Sequence, residues 1–272
     1  MGTHKLAGFT IIETMLFLGI SSALIVLLIA GTGNSLNVER YRDAAETFKS
    51  TLQQQYADLA SVQNGRNNNW TCGSDATPTT TNINKDIRGQ SPCMLLGKYV
   101  RVENEKISIY RVIGFQRADT TQDNDILSLK TNYLLNISRD EAEKTNLEWG
   151  TKIAYPATEN GTPDPSRPPS PRKMGILVVR SPDSGQIYTF TNSDDDVPND
   201  DSISPADLSS MLLTGAGVGA SGQADRLICI NSGGLQSMND RGVAMNSFAA
   251  GASAIELQTN EYLAEIGSPY RC

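Results

Sequence analysis

Near the N-terminus the order Gly8-Phe9-Thr10-Ile11-Ile12-Glu13 places one carboxylate in a run that carries no further charge until Glu39. A carboxylate in apolar surroundings is heavily penalised unless a donor or a cation meets it. An ionisable residue inside a bilayer-spanning stretch marks function by default and implies a partner. Glu13 is therefore the first candidate residue, and the chemistry it offers is charge pairing.

Three further constellations could carry chemistry. Cys72, Cys93, Cys229 and Cys272 form an even set without any C-x-x-C pair. That spacing speaks against a zinc ribbon or a thioredoxin-like centre and for two disulfides. Three connectivities are open, and Cys72–Cys93 with Cys229–Cys272 is preferred because each bridge stays within one region. Loops of those lengths would contribute about 3–4 kcal/mol each. Asp194-Asp195-Asp196 with Asp200 and Asp201 crowds one loop with oxygen ligands. It lacks the alternating ligand spacing and terminal Glu of an EF-hand, so Asp194, Asp196 and Asp200 are a weak calcium candidate and a solvated charge run is the default. Gly215-Ala-Gly217-Val-Gly219-Ala220 fits G-x-G-x-x-A. A helical pattern precedes it and a strand pattern follows, the reverse of a dinucleotide site, so it reads as a flexible loop.

Inventory narrows the function classes. The one histidine is His4, so the rest of the chain has no Ser-His-Asp or Cys-His catalysis and no histidine-ligated zinc. Apart from the weak calcium candidate no cofactor is indicated, and no enzyme activity is expected. The net charge of −7 argues against broad nucleic-acid affinity, which rests on Lys and Arg neutralising phosphates. Arg167, Arg172 and Lys173 are a weak basic footprint with no aromatic nearby. Asn69, Asn136 and Asn160 head glycosylation sequons, informative only where the machinery exists.

The elements that position these residues follow from periodicity. Residues 15–30 are apolar all round, and the span from Phe9 to Ala30 is long enough to cross about 30 Å of hydrocarbon as a helix. Gly31-Thr32-Gly33-Asn34 then interrupts the pattern, since paired glycines are weak points. From Ser35 the stripe Val38, Tyr41, Ala45, Phe48, Leu52, Gln55/Tyr56, Leu59, Val62 reads as an amphipathic helix to residue 63, docked on a globular head. Residues 64–92 read as a surface loop clamped by Cys72 and Cys93. Strands are expected at 95–102 and 107–115 across the turn Glu103-Asn-Glu-Lys106, and another over 126–137. Ser138 with Glu141 three residues on suggests a capped helix over 138–144. The prolines between Pro156 and Pro171 predict an extended exposed loop. A second hairpin is expected from 174–179 and 186–190, a helix capped by Ser204 up to about Leu213, and late strands at 226–230 and 254–258. The fold class is α+β: a long N-terminal helix packed on an antiparallel sheet with long decorated loops.

Lys5, Gly8, Phe9, Thr10 and Glu13, followed by the apolar run, resemble the processing and assembly site of the type IV pilin family, which includes the pseudopilins of type II secretion. The resemblance covers residues 1 to about 63. It implies a leader over 1–8, cleavage between Gly8 and Phe9 by a prepilin peptidase, and methylation of the Phe9 amine. It also implies a filament-core helix over 9–30, its amphipathic continuation over 31–63 and an extracytoplasmic β-rich head over 64–272. Glu13 would pair with the Phe9 amine of a neighbouring subunit. The implied partners are other pilin subunits, the peptidase and methylase, and an inner-membrane assembly machinery. The implied location is the cytoplasmic membrane and then a filament on the cell surface. Some pseudopilins hold calcium in a head loop. Many pilins carry a proline late in the apolar run, and this chain has none there. The alternative is a single-span anchored binding domain that never polymerises.

Overall fold

One uninterrupted helix of 50 residues, α1 (Ile11–Ala60), organises the molecule; at 1.5 Å per residue it is about 75 Å long. The computed structural model describes residues 10–61, 71–79, 91–158, 172–193, 196–212, 226–235, 240–246 and 250–272. Residues 1–9 with Gly8 and Phe9, residues 159–171 with Arg167, Asp194 and Asp195, the glycine-rich 215–220, and the sequon residues Asn69 and Asn160 lie outside them.

The two halves of α1 obey different rules. Its first half is bare, with Ile11 76% and Leu28 67% exposed, and is long and apolar enough to cross a membrane. Within it Ser22 Oγ donates to the Leu18 carbonyl at 2.8 Å and Thr32 Oγ1 to the Leu28 carbonyl at 2.9 Å. The helix thereby satisfies its own hydroxyls without solvent. The break expected at Gly31-Thr32-Gly33-Asn34 does not occur. Each glycine costs about 1 kcal/mol of helix propensity, but a helix already nucleated on both sides propagates through so short a defect.

The second half is a core element. Tyr41, Ala44, Ala45, Phe48, Leu52, Gln55, Tyr56 and Leu59 are buried, on the three- and four-residue steps read from the sequence. Val38 is the departure: it is 40% exposed, because the covered face starts at Tyr41.

After a two-residue hairpin, β1 (Thr71–Cys72) with β2 (Pro78–Thr79), the chain builds β3 (Cys93–Glu103) and β4 (Lys106–Gln116). Asn104 makes their tight turn with φ 57°, a left-handed conformation that asparagine tolerates. The next segment departs from expectation. Residues 125–132 are not strand but a helix, α2 (Asp125–Asn132), capped by Asn124 Oδ1 on the Leu127 N–H at 2.8 Å. Ile126 and Leu129, three residues apart, bury its inner face. Conversely, 138–144 is not a helix. β5 (Tyr133–Asn146) runs through it, pairing Ser138 with Arg111 and Glu143 with Ile109. Residues 139–142 thus bulge opposite Tyr110. The local cap signal loses to ladder pairing with β4.

Three short strands follow: β6 (Lys152–Ala154), β7 (Ala157–Thr158) and β8 (Lys173–Arg180). β8 turns through Gly185 (φ 75°) into β9 (Ile187–Ser193), the expected second hairpin. α3 (Pro205–Met211) carries the expected cap, with Ser204 and Asp207 forming a reciprocal box. Then come β10 (Leu227–Asn231), β11 (Arg241–Met245), β12 (Ile255–Thr259), α4 (Asn260–Glu265) and β13 (Tyr270–Arg271). Of these β11, α4 and β13 were not legible in the sequence. The proline-rich stretch is not exposed at its start: Pro156 is buried and β7 pairs with β13.

Beside the two-stranded pairs β1–β2 and β7–β13, the described residues form two larger antiparallel sheets, ordered β5-β4-β3-β8-β9 and β12-β11-β10-β6. One core joins Tyr41, Phe48, Leu52 and Tyr56 of α1 to Val100, Ile109 and Ile176 of the first sheet and to Ile228, Val243 and Ile255 of the second. The opposite face of the larger sheet, with Tyr99, Val112, Leu177 and Phe190, is covered by α2 and α3. That double coverage explains why β3 and β8 are buried along most of their length. Disulfides join Cys72 to Cys93 (Cα–Cα 5.7 Å) and Cys229 to Cys272 (5.2 Å).

Polar groups on α1 fix its seat. The Tyr41 hydroxyl donates to the Ile230 carbonyl at 2.9 Å and accepts from the Asp240 and Arg241 N–H groups at 3.2 and 3.1 Å. The Tyr56 hydroxyl meets Thr189 Oγ1 at 2.8 Å. Burial pushes Tyr56 up to about 12 and raises Tyr41 against the lowering effect of its two N–H donors. An unfolded tyrosine ionises near 10, so this stability is whole below pH 10 and is lost as pH rises from about 10 to about 12. Denaturant unfolding followed from pH 8 to 11.5 should show a steep alkaline loss. Tyr56→Phe should flatten that loss, while lowering neutral-pH stability by about 1 kcal/mol through loss of the hydrogen bond to Thr189.

Candidate functional site

Glu13 stands at the third position of α1, and its carboxylate is engaged at once by the residue that starts the helix. Thr10 Oγ1 accepts from the Glu13 N–H at 3.3 Å, and Glu13 Oε2 receives the Thr10 N–H at 3.4 Å and the Thr10 hydroxyl at 3.5 Å. This is a reciprocal capping box, and the positive end of the helix dipole adds to it. The signal was present in the sequence as T-x-x-E just before an apolar run. Reading Glu13 only as a charge in a membrane passed over it. Both contacts use Oε2, so among the described residues the acceptor capacity of Oε1 is unused.

The acidic loop is answered by a polar row on the larger sheet. Lys144, Ser108, Arg101, Gly175 and Asn192 stand opposite one another across all five strands. Asp200 lies on this row: it meets Arg101 Nη1 at 3.2 Å, Ser108 Oγ at 3.2 Å and Lys144 Nζ at 3.9 Å. Arg101, only 4% exposed, also donates Nε to the Pro198 carbonyl at 2.8 Å and pairs with Glu103 at 2.9 Å. Arg139 donates to the carbonyls of Asp200, Asp201 and Ile203, and Lys173 Nζ to Asn199 Oδ1 at 3.3 Å. Asp196 contributes its backbone carbonyl to Asn192. The carboxylate of Asp200 is therefore occupied by the protein's own cations, and Asp194 lies outside the described residues. Among those residues no three of His, Cys, Asp and Glu group closely enough to hold a metal ion.

The other candidates are dispersed. Arg172 is fully buried, stacked 4.3 Å over the Tyr155 ring with Nη1 on the Leu227 carbonyl at 2.9 Å, so it presents no charge to a nucleic acid. Asn136 sits in β5 with its amide on the Asp75 carbonyl at 3.1 Å. Lys98, 3% exposed, bridges the end of α1 to the sheet through Asp58 at 3.5 Å and Glu143 at 3.8 Å. A cation there also faces the negative end of the helix dipole. Sequence reasoning could not find Lys98, Arg101 or the row they help form, because strand register alone brings these residues together.

Asp200→Ala should leave the buried Arg101 with Glu103 as its remaining carboxylate partner and destabilise the head by roughly 2 kcal/mol, the cost of losing contacts to a charged group. Thermal melts should show that loss equally with calcium and with chelator. A wild-type melting point that falls on chelation would instead assign the loop to a metal. Comparison of the chain with protein-family models, with curated proteins and with solved structures finds no match.

Proposed function

We propose that the chain is a structural subunit of a type IV pilus or related filament, a minor pilin or large pseudopilin. On this reading it is cleaved after Gly8, methylated at Phe9 and assembled through its N-terminal helix. The observation that supports the reading is the asymmetry of α1. Its distal half is embedded in the head, while the half starting at Glu13 is bare, apolar and helically continuous with it. Such a half-helix needs either lipid or copies of itself around it. Before assembly it anchors the chain in the cytoplasmic membrane, and afterwards it packs in a filament core with the head outside.

Glu13 is then the registering group. In a dry helix bundle its carboxylate is costly unless matched, and a neighbour's Phe9 amine matches it at one axial offset. The partners are other subunits, the peptidase with its methylase, and the assembly machinery of the inner membrane. Catalysis forms no part of the reading.

A specific observation favours a second reading, a single-span anchored extracytoplasmic domain that does not polymerise. Thr10 supplies Glu13 with hydrogen bonds inside the same chain, so a lone helix can carry the carboxylate unaided. Mass spectrometry of the protein from native membranes separates the two. An N-terminus at N-methyl-Phe9 is expected, and an intact Met1 overturns the filament reading. Glu13→Ala should be processed and inserted normally, yet enter sheared filaments at least roughly tenfold less, equivalent to about 1.4 kcal/mol.

A further inference from the structure

Trp149 sits in a conformation its side chain does not favour. It has φ 59° and is followed by Gly150 at φ 71°, yet L-residues with a bulky side chain rarely occupy the left-handed region. It is also 50% exposed, so burial does not hold it there. Its neighbours do: Leu147 and Thr151 on either side are buried. Strain that persists on a surface is a reason to ask what the side chain does.

The ring lies against α1. Arg40 stacks over it at 4.8 Å from the centroid, and Nε1 donates to Asp43 Oδ2 at 3.3 Å. Between those two helix residues is Tyr41, whose hydroxyl makes its three backbone bonds on the opposite, buried side. One turn of helix is thus gripped from both sides, inside by the second sheet and outside by Trp149. Immediately before it, Leu36 and Val38 are exposed and the Gly31-Thr32-Gly33-Asn34 segment carries no packing around its glycines.

Membrane contact does not account for the tryptophan. Arg40 is ten residues past Ala30, about 15 Å along the axis, whereas the headgroup layer adds only about 5–8 Å beyond the hydrocarbon. We propose that Trp149 is a neck clamp: with Tyr41 it fixes the direction in which the bare half of α1 leaves the head, and confines bending to the glycine segment below. The clamp belongs to the folded subunit and holds whether or not the chain assembles.

Hydrogen exchange on the full chain in lipid nanodiscs tests it. Trp149→Gly relieves the left-handed strain, so the head should stay folded while amides 37–44 exchange at least about tenfold faster. Amides of β3 and β8 should keep their rates. Arg40→Ala combined with Asp43→Ala, which removes the stacked cation and the acceptor and leaves the turn untouched, should give the same local acceleration. Trp149→Phe, which keeps the stack and loses the N–H donor, should fall between. Unchanged rates at 37–44 in Trp149→Gly would overturn the clamp. So would acceleration spread evenly through β3 and β8, because that is the mark of an ordinary stabilising residue.

Discussion

A single helix has to satisfy two environments, and the rest of the molecule is arranged around that constraint. From Tyr41 to Leu59 α1 is the shared core of both sheets. Each fully buried aliphatic or aromatic side chain there is worth about 1.5–3 kcal/mol of apolar transfer. From Ile11 to Ile29 its large apolar side chains are exposed, none of the described residues covering them. The boundary between the two halves is sharp, and polar contacts mark it near the neck. Tyr41, Arg40 and Asp43 all act within one turn.

Charge placement follows the same economy. The bare half carries one carboxylate, and it is put where the helix's own N-terminus can serve it. Within the head, Lys98 and Arg101 are buried on opposite faces of the same strand. Each binds a separate layer to the sheet: Lys98 reaches α1 through Asp58, and Arg101 reaches the acidic loop through Asp200. Buried pairs of this kind add little net stability over apolar packing but penalise wrong arrangements strongly. They specify which loop and which helix end belong against β3.

Legibility differed by kind of signal. The α1 stripe, the hairpins at Asn104 and Gly185, and the Ser204 cap were readable because each rests on contacts within a few residues. Residues 125–132 and 138–144 were misread in opposite senses. At the first, the Asn124 cap and the Ile126/Leu129 spacing specify a helix that looked like an apolar strand. At the second, an apparent cap at Ser138 was overruled by pairing with β4. The acidic loop was noticed but its counter-ions were not, since Arg101, Ser108 and Lys144 are brought together by strand register.

What the sequence by itself determined is the one-dimensional content. It held a span-length apolar helix with a lone carboxylate at its head, an amphipathic continuation, four paired cysteines and a β-rich remainder without histidine chemistry. These depend on composition and on period, which a linear chain carries. Tertiary structure alone decided that Asp200 is met by the protein's own cations. It also decided that Arg172 is interior and that Trp149 grips the neck. Each of those outcomes is a competition between a local preference and a long-range partner, and the identity of the partner is fixed only when the sheets are formed.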